Sequence, residues 1–202
     1  MQYKSFMRSG LLIFALAFMA GCAKPPQQDI DAAKAALEAA KTAEADRYVA
    51  DKFKAAQDSL DAAMVEVENQ NSKFALTRNY DQAQALLQSA VAAANAAAGE
   101  AAAAKEAART AAEGLTQQLQ TSIASAKALL AKAPKGKEGR AALEMIQNDI
   151  AGVEASLADI STATANGDYL TARDKAQAGL DKINGIIEEL NNAISKKASM
   201  SR

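Results

Sequence analysis

The stretch AVAAANAAAGEAAAAKEAARTAAE, residues 90–113, decides the fold, because 15 of its 24 residues are alanine. Alanine has the highest helix propensity of all residues and is depleted in strands. The rest of the chain shares this bias, since runs of β-branched residues are scarce and only three residues are proline. We therefore predict an all-α protein.

A single long helix is predicted around this stretch, because no proline occurs from Tyr80 to Ala133. Its apolar positions keep a seven-residue spacing and then step by four near Gly114, which shifts the buried face of a helix. One continuous helix that serves two bundles is the main prediction, and a hinge at Gly99 or Gly114 is the alternative. The seven-residue series is Tyr80, Leu87, Ala94, Ala101, Ala108 and Leu115, and the steps of four are Leu115, Leu119 and Ile123.

Helical spacing of apolar residues predicts four further helices, over 29–46, 51–76, 140–165 and 168–196. Asp29 or Asp31 is the expected cap of the first helix, and Asp51 that of the second. The segment APKGKEG at 133–139 is the clearest loop. A helix over 80–133 would be about 80 Å long at 1.5 Å per residue, so we expect an elongated bundle.

The chain repeats itself. AKAALEAAK at 33–41 resembles AKALLAKAP at 126–134, and the apolar residues of 53–67 match those of 143–157. A repeat of this length indicates a duplicated helix–helix–turn–helix unit. The predicted units span 29–112 and 113–202 and share the long helix.

Each unit contains a sharp turn with a recurring set of residues. Gly167 is suited to the left-handed conformation that closes a helix, and an Asp or Asn can cap the next one. In the first unit Arg78 stands where glycine is expected, so that turn is predicted to be built differently. The candidate structural residues are Asn79, Tyr80 and Ala83 in the first turn, and Gly167, Asp168, Tyr169 and Ala172 in the second.

These turns resemble the turn inside tetratricopeptide repeats, although the 34-residue period of that family is absent. The segments AEADRY, KFKAAQDSL and NYDQA, between residues 43 and 83, resemble a family of uncharacterised bacterial lipoproteins. Proteins of that family often occur beside OmpA-like peptidoglycan-binding domains, and no such domain is present here. The resemblance implies an α-helical envelope protein without an established activity.

The amino-terminal segment has the three zones of a secretory signal, with Lys4 and Arg8 before an apolar run of about nine residues. This run is too short to span a bilayer, which takes roughly 20 residues. We predict a signal peptide over 1–21, cleaved between Gly21 and Cys22. An ordinary signal peptide is the alternative, but it would leave Cys22 as an unpaired thiol in an oxidising compartment.

The sequence around this cysteine also resembles the lipobox of bacterial lipoproteins, with Met19 in place of the preferred leucine. The resemblance implies a covalent diacylglycerol and an acylated amino group on Cys22, with 22–28 as a lipidated cysteine and extended linker. Ala23 is not the aspartate that retains such proteins in the inner membrane. The implied location is the outer membrane, with the body facing the periplasm.

The amino-acid composition reduces the number of function classes that fit this chain. The chain has no histidine or tryptophan and a single cysteine, so it lacks the commonest catalytic side chains and soft-metal ligands. Its net charge is −1, and −3 without the signal segment, which argues against nucleic acid binding. We predict no catalytic residue, no metal site, no small-molecule substrate and no cofactor other than the lipid on Cys22.

These features predict a non-enzymatic, lipid-anchored spacer or docking scaffold. Its partner would be another envelope protein or a second copy of the chain. The alternative is a periplasmic chaperone-like module that binds unfolded or lipidic clients in an alanine-lined groove.

Overall fold

The computed structural model describes residues 23–134 and 139–200, and within these ranges all regular structure is helical. The predicted all-α fold is confirmed. The described helices are α1 (Gln27–Thr42), α2 (Ala45–Tyr48), α3 (Ala50–Asn71), α4 (Asp81–Lys132), α5 (Arg140–Ala165) and α6 (Tyr169–Met200), with a 3₁₀ turn at Ala75–Thr77.

The first helices depart from their predicted bounds. Helix α1 begins after Pro26 rather than at Asp29, and neither predicted aspartate caps it. It ends four residues early, because Glu44 adopts a left-handed conformation with φ of 60°. Helix α3 begins after Val49, so the predicted cap at Asp51 is also wrong, and Asp51 instead lies in the first turn.

Helix α3 also ends before the predicted residue 76. Its last helical residue is Asn71, and residues 72–80 form the connection to α4. The seven-residue spacing of Phe53, Leu60 and Val67 continues to Phe74, which is why sequence periodicity extends the helix too far. Phe74 instead lies outside the helix and is exposed.

Helix α4 runs without interruption through Gly99 and Gly114, which confirms the main prediction of one continuous helix. The alternative, a hinge at one of these glycines, does not form. Its buried positions keep the predicted spacing from Tyr80 to Ala108, whereas Leu115 is only half-buried. A second series of buried positions begins at Ala112. The step of four therefore begins between Ala108 and Ala112, one turn before the predicted position.

The helices group into two units that share α4. Residues 23–102 of the described chain form unit 1, which contains α1, α2, α3 and the first part of α4. Residues from 103 onward form unit 2, which contains the second part of α4 with α5 and α6. In the described chain, each unit thus has three long helices, of which α4 is common to both, and unit 1 also contains the short α2.

Unit 1 buries two adjacent clusters of side chains. The cluster at the α3–α4 connection holds Ile30, Ala33, Ala63, Val67, Tyr80, Ala83, Leu87 and Ala90. The cluster at the other end holds Leu37, Ala40, Ala45, Phe53, Ala56, Ala94, Ala97 and Ala101. Large side chains are sparse in this second cluster, so Phe53 fills much of its volume.

Unit 2 has one continuous core with more large aliphatic residues. Its fully buried large side chains are Leu119, Ile150, Ile160, Ile183 and Leu190. Gly179 on α6 admits one of them, because a Cβ atom built there would lie 2.9 Å from Leu119 Cδ2. Glycine at this position lets α6 pack closely over Leu119.

Many aligned positions are buried in both units, which supports the duplication. At the offset of 93 residues, Ile30, Ala33 and Ala40 match Ile123, Ala126 and Ala133, and all six are buried. At the offset of 90, the buried residues Ala56, Ala63 and Gln70 match Ile146, Val153 and Ile160. At the offset of 89, five buried residues of α4 match five of α6: Ala83, Leu87, Ala94, Ala97 and Ala101 match Ala172, Ala176, Ile183, Ile186 and Leu190 in that order.

Candidate functional site

The predicted lipid site lies at the edge of what the structure describes. Gly21 and Cys22, with the whole predicted signal peptide, lie outside the described residues, so their roles stay predictions. Ala23, Lys24 and Pro25 are exposed and non-helical, whereas Pro26 is buried. The Pro26 carbonyl accepts the Ile30 N–H at 3.0 Å, and α1 begins at Gln27, five residues after Cys22. The extended linker is therefore shorter than the predicted 22–28.

The start of α1 lies beside the α3–α4 connection. The Gln84 side-chain amide donates to Asp29 Oδ2 at 3.3 Å, which joins the first turn of α1 to the first turn of α4. Beneath this contact, Ile30 shares a buried cluster with Val67 and Tyr80. The beginning of α1, the end of α3 and the beginning of α4 thus lie at one end of unit 1, which we term the base.

The connection at the base is built around the predicted turn residues. Asn79 Oδ1 accepts the Asp81 N–H at 2.7 Å, so Asn79 forms a side-chain turn that leads into α4, although Tyr80 is the residue directly before the helix. Tyr80 is buried and its hydroxyl donates to Asn71 Oδ1 at 2.6 Å. Ala83 is fully buried one turn further along α4. The tyrosine thereby ties the start of α4 to the end of α3.

Arg78 closes this turn without positive φ. Its backbone is extended, with φ of −72° and ψ of 134°. Its guanidinium Nε donates to the Lys73 carbonyl at 3.0 Å, and Nη2 donates to the Asn71 carbonyl at 2.8 Å. Carbonyls at the carboxyl end of a helix lack intrahelical partners, and a cationic donor satisfies them well. Arg78 thus replaces the glycine-based turn of unit 2 by side-chain hydrogen bonds.

The turn of unit 2 follows the predicted scheme. Gly167 has φ of 74°, the left-handed conformation that glycine adopts most readily. The Asp168 N–H donates to the Ala163 carbonyl at 2.9 Å, which completes the hydrogen bonding typical of this helix ending. Asp168 Oδ1 then accepts the Thr171 N–H in a long bond of 3.4 Å. Ala172 is fully buried, whereas Tyr169 is only half-buried.

The longer connection of unit 1 carries the most exposed large apolar side chains recorded in the described chain. Phe74 is 72% exposed and Leu76 is 73% exposed, on either side of Ala75 in the 3₁₀ turn. The backbone here is nevertheless fixed, because Thr77 donates both its N–H and its hydroxyl to the Phe74 carbonyl at 2.9 Å. We term residues 73–78 the basal loop.

Sequence periodicity missed the basal loop by assigning it to a helix. The signal available was the polar run from Asn69 to Ser72, which interrupts the apolar pattern just before Phe74. Such short polar side chains compete for backbone hydrogen bonds and favour helix ends. Indeed the Ser72 hydroxyl donates to the Asn69 carbonyl at 2.8 Å.

Outside the base, several charged side chains form ion pairs on the protein surface. Lys175 lies 2.8 Å from Asp159 and lowers the pKa of that carboxyl, chiefly through its hydrogen bond. Arg109 likewise lowers the pKa of Glu106. Glu188 and Glu189, adjacent on α6, are both exposed. In the part of the chain that the structure describes, no group of three or more His, Cys, Asp or Glu side chains is placed to hold a metal ion.

An open groove of about 800 Å³ lies between α4 and α5 within unit 2. Its lining is about half polar, through the Lys127–Glu154 ion pair at 2.6 Å and the side chains of Arg140 and Glu144. Its half-buried apolar members, Leu130 and Leu143, pack against the core rather than forming a separate apolar pocket. This groove offers no reactive group.

The search for a membrane span and the comparisons with known proteins are both negative. Among the described helices, none combines the length and apolar character needed to cross a bilayer. No protein-family model matches the chain, and no curated protein or solved structure is detectably similar to it.

Proposed function

We propose that this protein is a non-enzymatic lipoprotein of the bacterial envelope, held at the outer membrane through Cys22. Its helical body then acts as a spacer or docking scaffold on the periplasmic side. The observation that carries the proposal is the order of segments along the chain. A signal-like segment ends at the only cysteine, and a helical body begins five residues later, at Gln27.

The chemistry of the body supports a role in assembly rather than catalysis. Several of its charged side chains form exposed ion pairs between helices, such as Lys182 with Asp149 at 2.8 Å and Lys127 with Glu154. Such pairs add little stability individually, but they set which surfaces a partner meets. An envelope protein or a second copy of the chain is the partner that we propose.

A chaperone-like protein would have to bind its clients on a surface other than the row of alanines along α4. Ala94, Ala97 and Ala101 are fully buried in the core of unit 1. An unfolded client could reach them only if the helices separated. Whether the purified body prevents the aggregation of an unfolded outer-membrane protein discriminates between the two functions.

The anchor is tested by Cys22→Ala in cells. We expect the variant to leave the membrane fraction or to accumulate as an unprocessed precursor, because it lacks the sulfur that would carry the lipid. The matched variant Ala23→Asp retains the cysteine and should move the protein to the inner membrane. If Cys22→Ala is processed and stays with membranes as wild type does, the anchor proposal is wrong.

The partner is tested separately by crosslinking in intact cells. A photoreactive residue at an exposed position, such as Met145 on α5, should trap a specific envelope protein or a second copy. Crosslinking that is equally diffuse at Met145 and at Lys34 on α1 would contradict a scaffold with a defined docking surface.

A further inference from the structure

We infer that the basal loop inserts Phe74 and Leu76 among the lipids of the membrane that holds Cys22, so that the base of unit 1 docks on the lipid surface. This inference rests on the proposed anchor at Cys22. The anchor supplies attachment, whereas the loop adds a second contact that fixes how the body meets the membrane. The partner is thus a phospholipid surface.

The first argument is the distance that the chain can span. Only Ala23, Lys24 and Pro25 lie between Cys22 and buried Pro26, so the Cα atom of Cys22 stays within roughly 14 Å of that of Pro26, which directly precedes α1. Helix α1 packs directly on α3, and packed helices lie about 8–10 Å apart. The end of α3, where the loop begins, is therefore held close to the same membrane.

The second argument is that the loop presents its apolar side chains from a fixed backbone. Arg78 and Thr77 satisfy the carbonyls of Asn71, Lys73 and Phe74. A mobile loop would fold Phe74 back onto the protein whenever apolar surface was available. Here the backbone is held, and both large side chains stay exposed to solvent.

The third argument is the contrast with the duplicated turn. Helices α5 and α6 are joined by only three residues, 166–168, whereas α3 and α4 are joined by nine, 72–80. The short turn carries asparagine, glycine and aspartate and has no large apolar side chain. The apolar loop therefore belongs to the unit that follows the cysteine and is not needed to join two helices of this fold.

The linker and the basal loop each carry one exposed lysine, Lys24 and Lys73. The carboxylates nearby keep their charge but are held by side-chain amides, since Asp29 accepts from Gln84 and Asp81 Oδ2 accepts from the Asn79 amide at 3.1 Å. Aromatic and leucine side chains flanked by lysine are the composition of segments that lie in a membrane interface.

The test uses the full-length, lipidated protein in vesicles of phosphatidylethanolamine, with and without phosphatidylglycerol. Phe74→Cys provides a single free thiol for an environment-sensitive dye, because the only native cysteine is acylated. Val65→Cys is the matched control, since Val65 is an exposed apolar residue of 59% exposure on α3 of the same unit. We expect a blue-shifted emission and several-fold weaker iodide quenching at position 74 only, in both kinds of vesicle, because the contact is made by apolar side chains.

A second readout needs no dye. Trypsin should cleave after Lys73 several-fold more slowly in vesicles than in detergent, and the double variant Phe74→Ser/Leu76→Ser should lose this protection. Both substitutions replace exposed side chains, so the fold remains.

Three outcomes overturn the inference. Equal iodide quenching at positions 74 and 65 in the lipidated protein does so while leaving the proposed anchor intact. Shielding in cell membranes but not in pure lipid vesicles would assign the loop to a protein partner. Absence of acyl chains on Cys22 by mass spectrometry would remove the proposed anchor and the inference together.

Discussion

Units 1 and 2 bury many of the same aligned positions but distribute side-chain volume in opposite directions along their third long helix. In unit 1 the large residues Tyr80, just before α4, and Leu87 lie near the turn, and alanines follow at 94, 97 and 101. In α6 the order is reversed, with Ala172 and Ala176 near the turn and large aliphatic residues beyond it. A common backbone arrangement thus accepts different cores, provided that the volume lost at one position is recovered at another.

The reversal concentrates the weakness of unit 1 far from its base. Alanine buries little area per residue, so the cluster around Ala94, Ala97 and Ala101 gains less from burial than the isoleucine-rich core of unit 2. Phe53 and Leu37 supply most of the apolar surface there. Amide exchange should therefore be faster at the far end of unit 1 than in unit 2.

The largest expected effect comes from Phe53→Ala, which should lower the free energy of unfolding by about 3–5 kcal/mol, because the surrounding alanines cannot fill the cavity. Leu143→Ala, at the aligned position of unit 2, is the matched control. Leu143 is half-buried, so we expect about half of that loss. Urea denaturation measures both, and amide exchange assigns each loss to a unit. Equal costs would show that the two cores are not as different as their volumes indicate.

The helix bounds that the sequence predicts well are those that local chemistry determines. Helix α4 was expected over 80–133 and spans Asp81–Lys132, because no residue in that interval breaks a helix. Helix α5 matches its predicted bounds, and Gly167 has the predicted positive φ. Each of these features depends on neighbours in the sequence, which a pattern can represent.

Features that depend on distant contacts were not predictable. Phe74 continues the spacing of α3, and only the hydrogen bonds of Arg78 to two carbonyls show that the chain has already left the helix. The close approach of Gly179 to Leu119 joins residues 60 positions apart and leaves no mark in either segment. Lipid attachment at Cys22, by contrast, is a prediction from the sequence alone.

The close contact between Gly179 and Leu119 is a specific difference between the units, because the residue of unit 1 that aligns with Gly179 is Ala90. Gly179→Ala should cost about 1–2 kcal/mol despite the better helix propensity of alanine, since the added Cβ would lie 2.9 Å from Leu119 Cδ2 and this fully buried side chain would have to shift. Gly99→Ala, where a Cβ meets nothing within 4 Å, should instead stabilise the protein by about 0.5–1 kcal/mol. Thermal denaturation distinguishes the opposite signs.

The role of Leu119 can be isolated by a double-mutant cycle. Leu119→Ala combined with Gly179→Ala should cost less than the sum of the two single variants, because the added methyl group occupies part of the vacated space. Simple additivity would mean that the two residues do not compete for the same volume.

The two turns offer a smaller contrast, because only that of unit 2 uses positive φ. Gly167→Val should cost about 1–2 kcal/mol, since a β-branched residue is strained in the left-handed region. Gly167→Asn is the control and should cost less, because asparagine tolerates this conformation. The melting temperature is the measurement, and equal losses for Val and Asn would place the cost elsewhere than in backbone strain.

The smallest expected effect is the pH dependence of the Asp159–Lys175 pair, which joins α5 and α6. Lys175 lowers the pKa of Asp159 below its usual value of 3.8 in the folded state. The pair therefore stabilises unit 2 above that value, and the contribution is lost as the pH falls through the lowered pKa of the folded state. Asp159→Asn should have a slightly lower melting temperature than wild type at pH 7, and the difference should vanish in strong acid. A difference that persists there would exclude the ion pair as its source.

The opposite order of volumes in the two third helices has a consequence for how the chain reaches its native state. Duplicated proteins can misassemble during folding when a helix of one copy docks in the place of its counterpart. If the first part of α4 took the place of α6, Ala90 would fall where Gly179 admits Leu119, and three alanines would replace Ile183, Ile186 and Leu190. The mispaired bundle would combine a steric clash at one end with unfilled space at the other. The order of large and small residues along each helix therefore favours packing against its own partners over packing in the place of its counterpart.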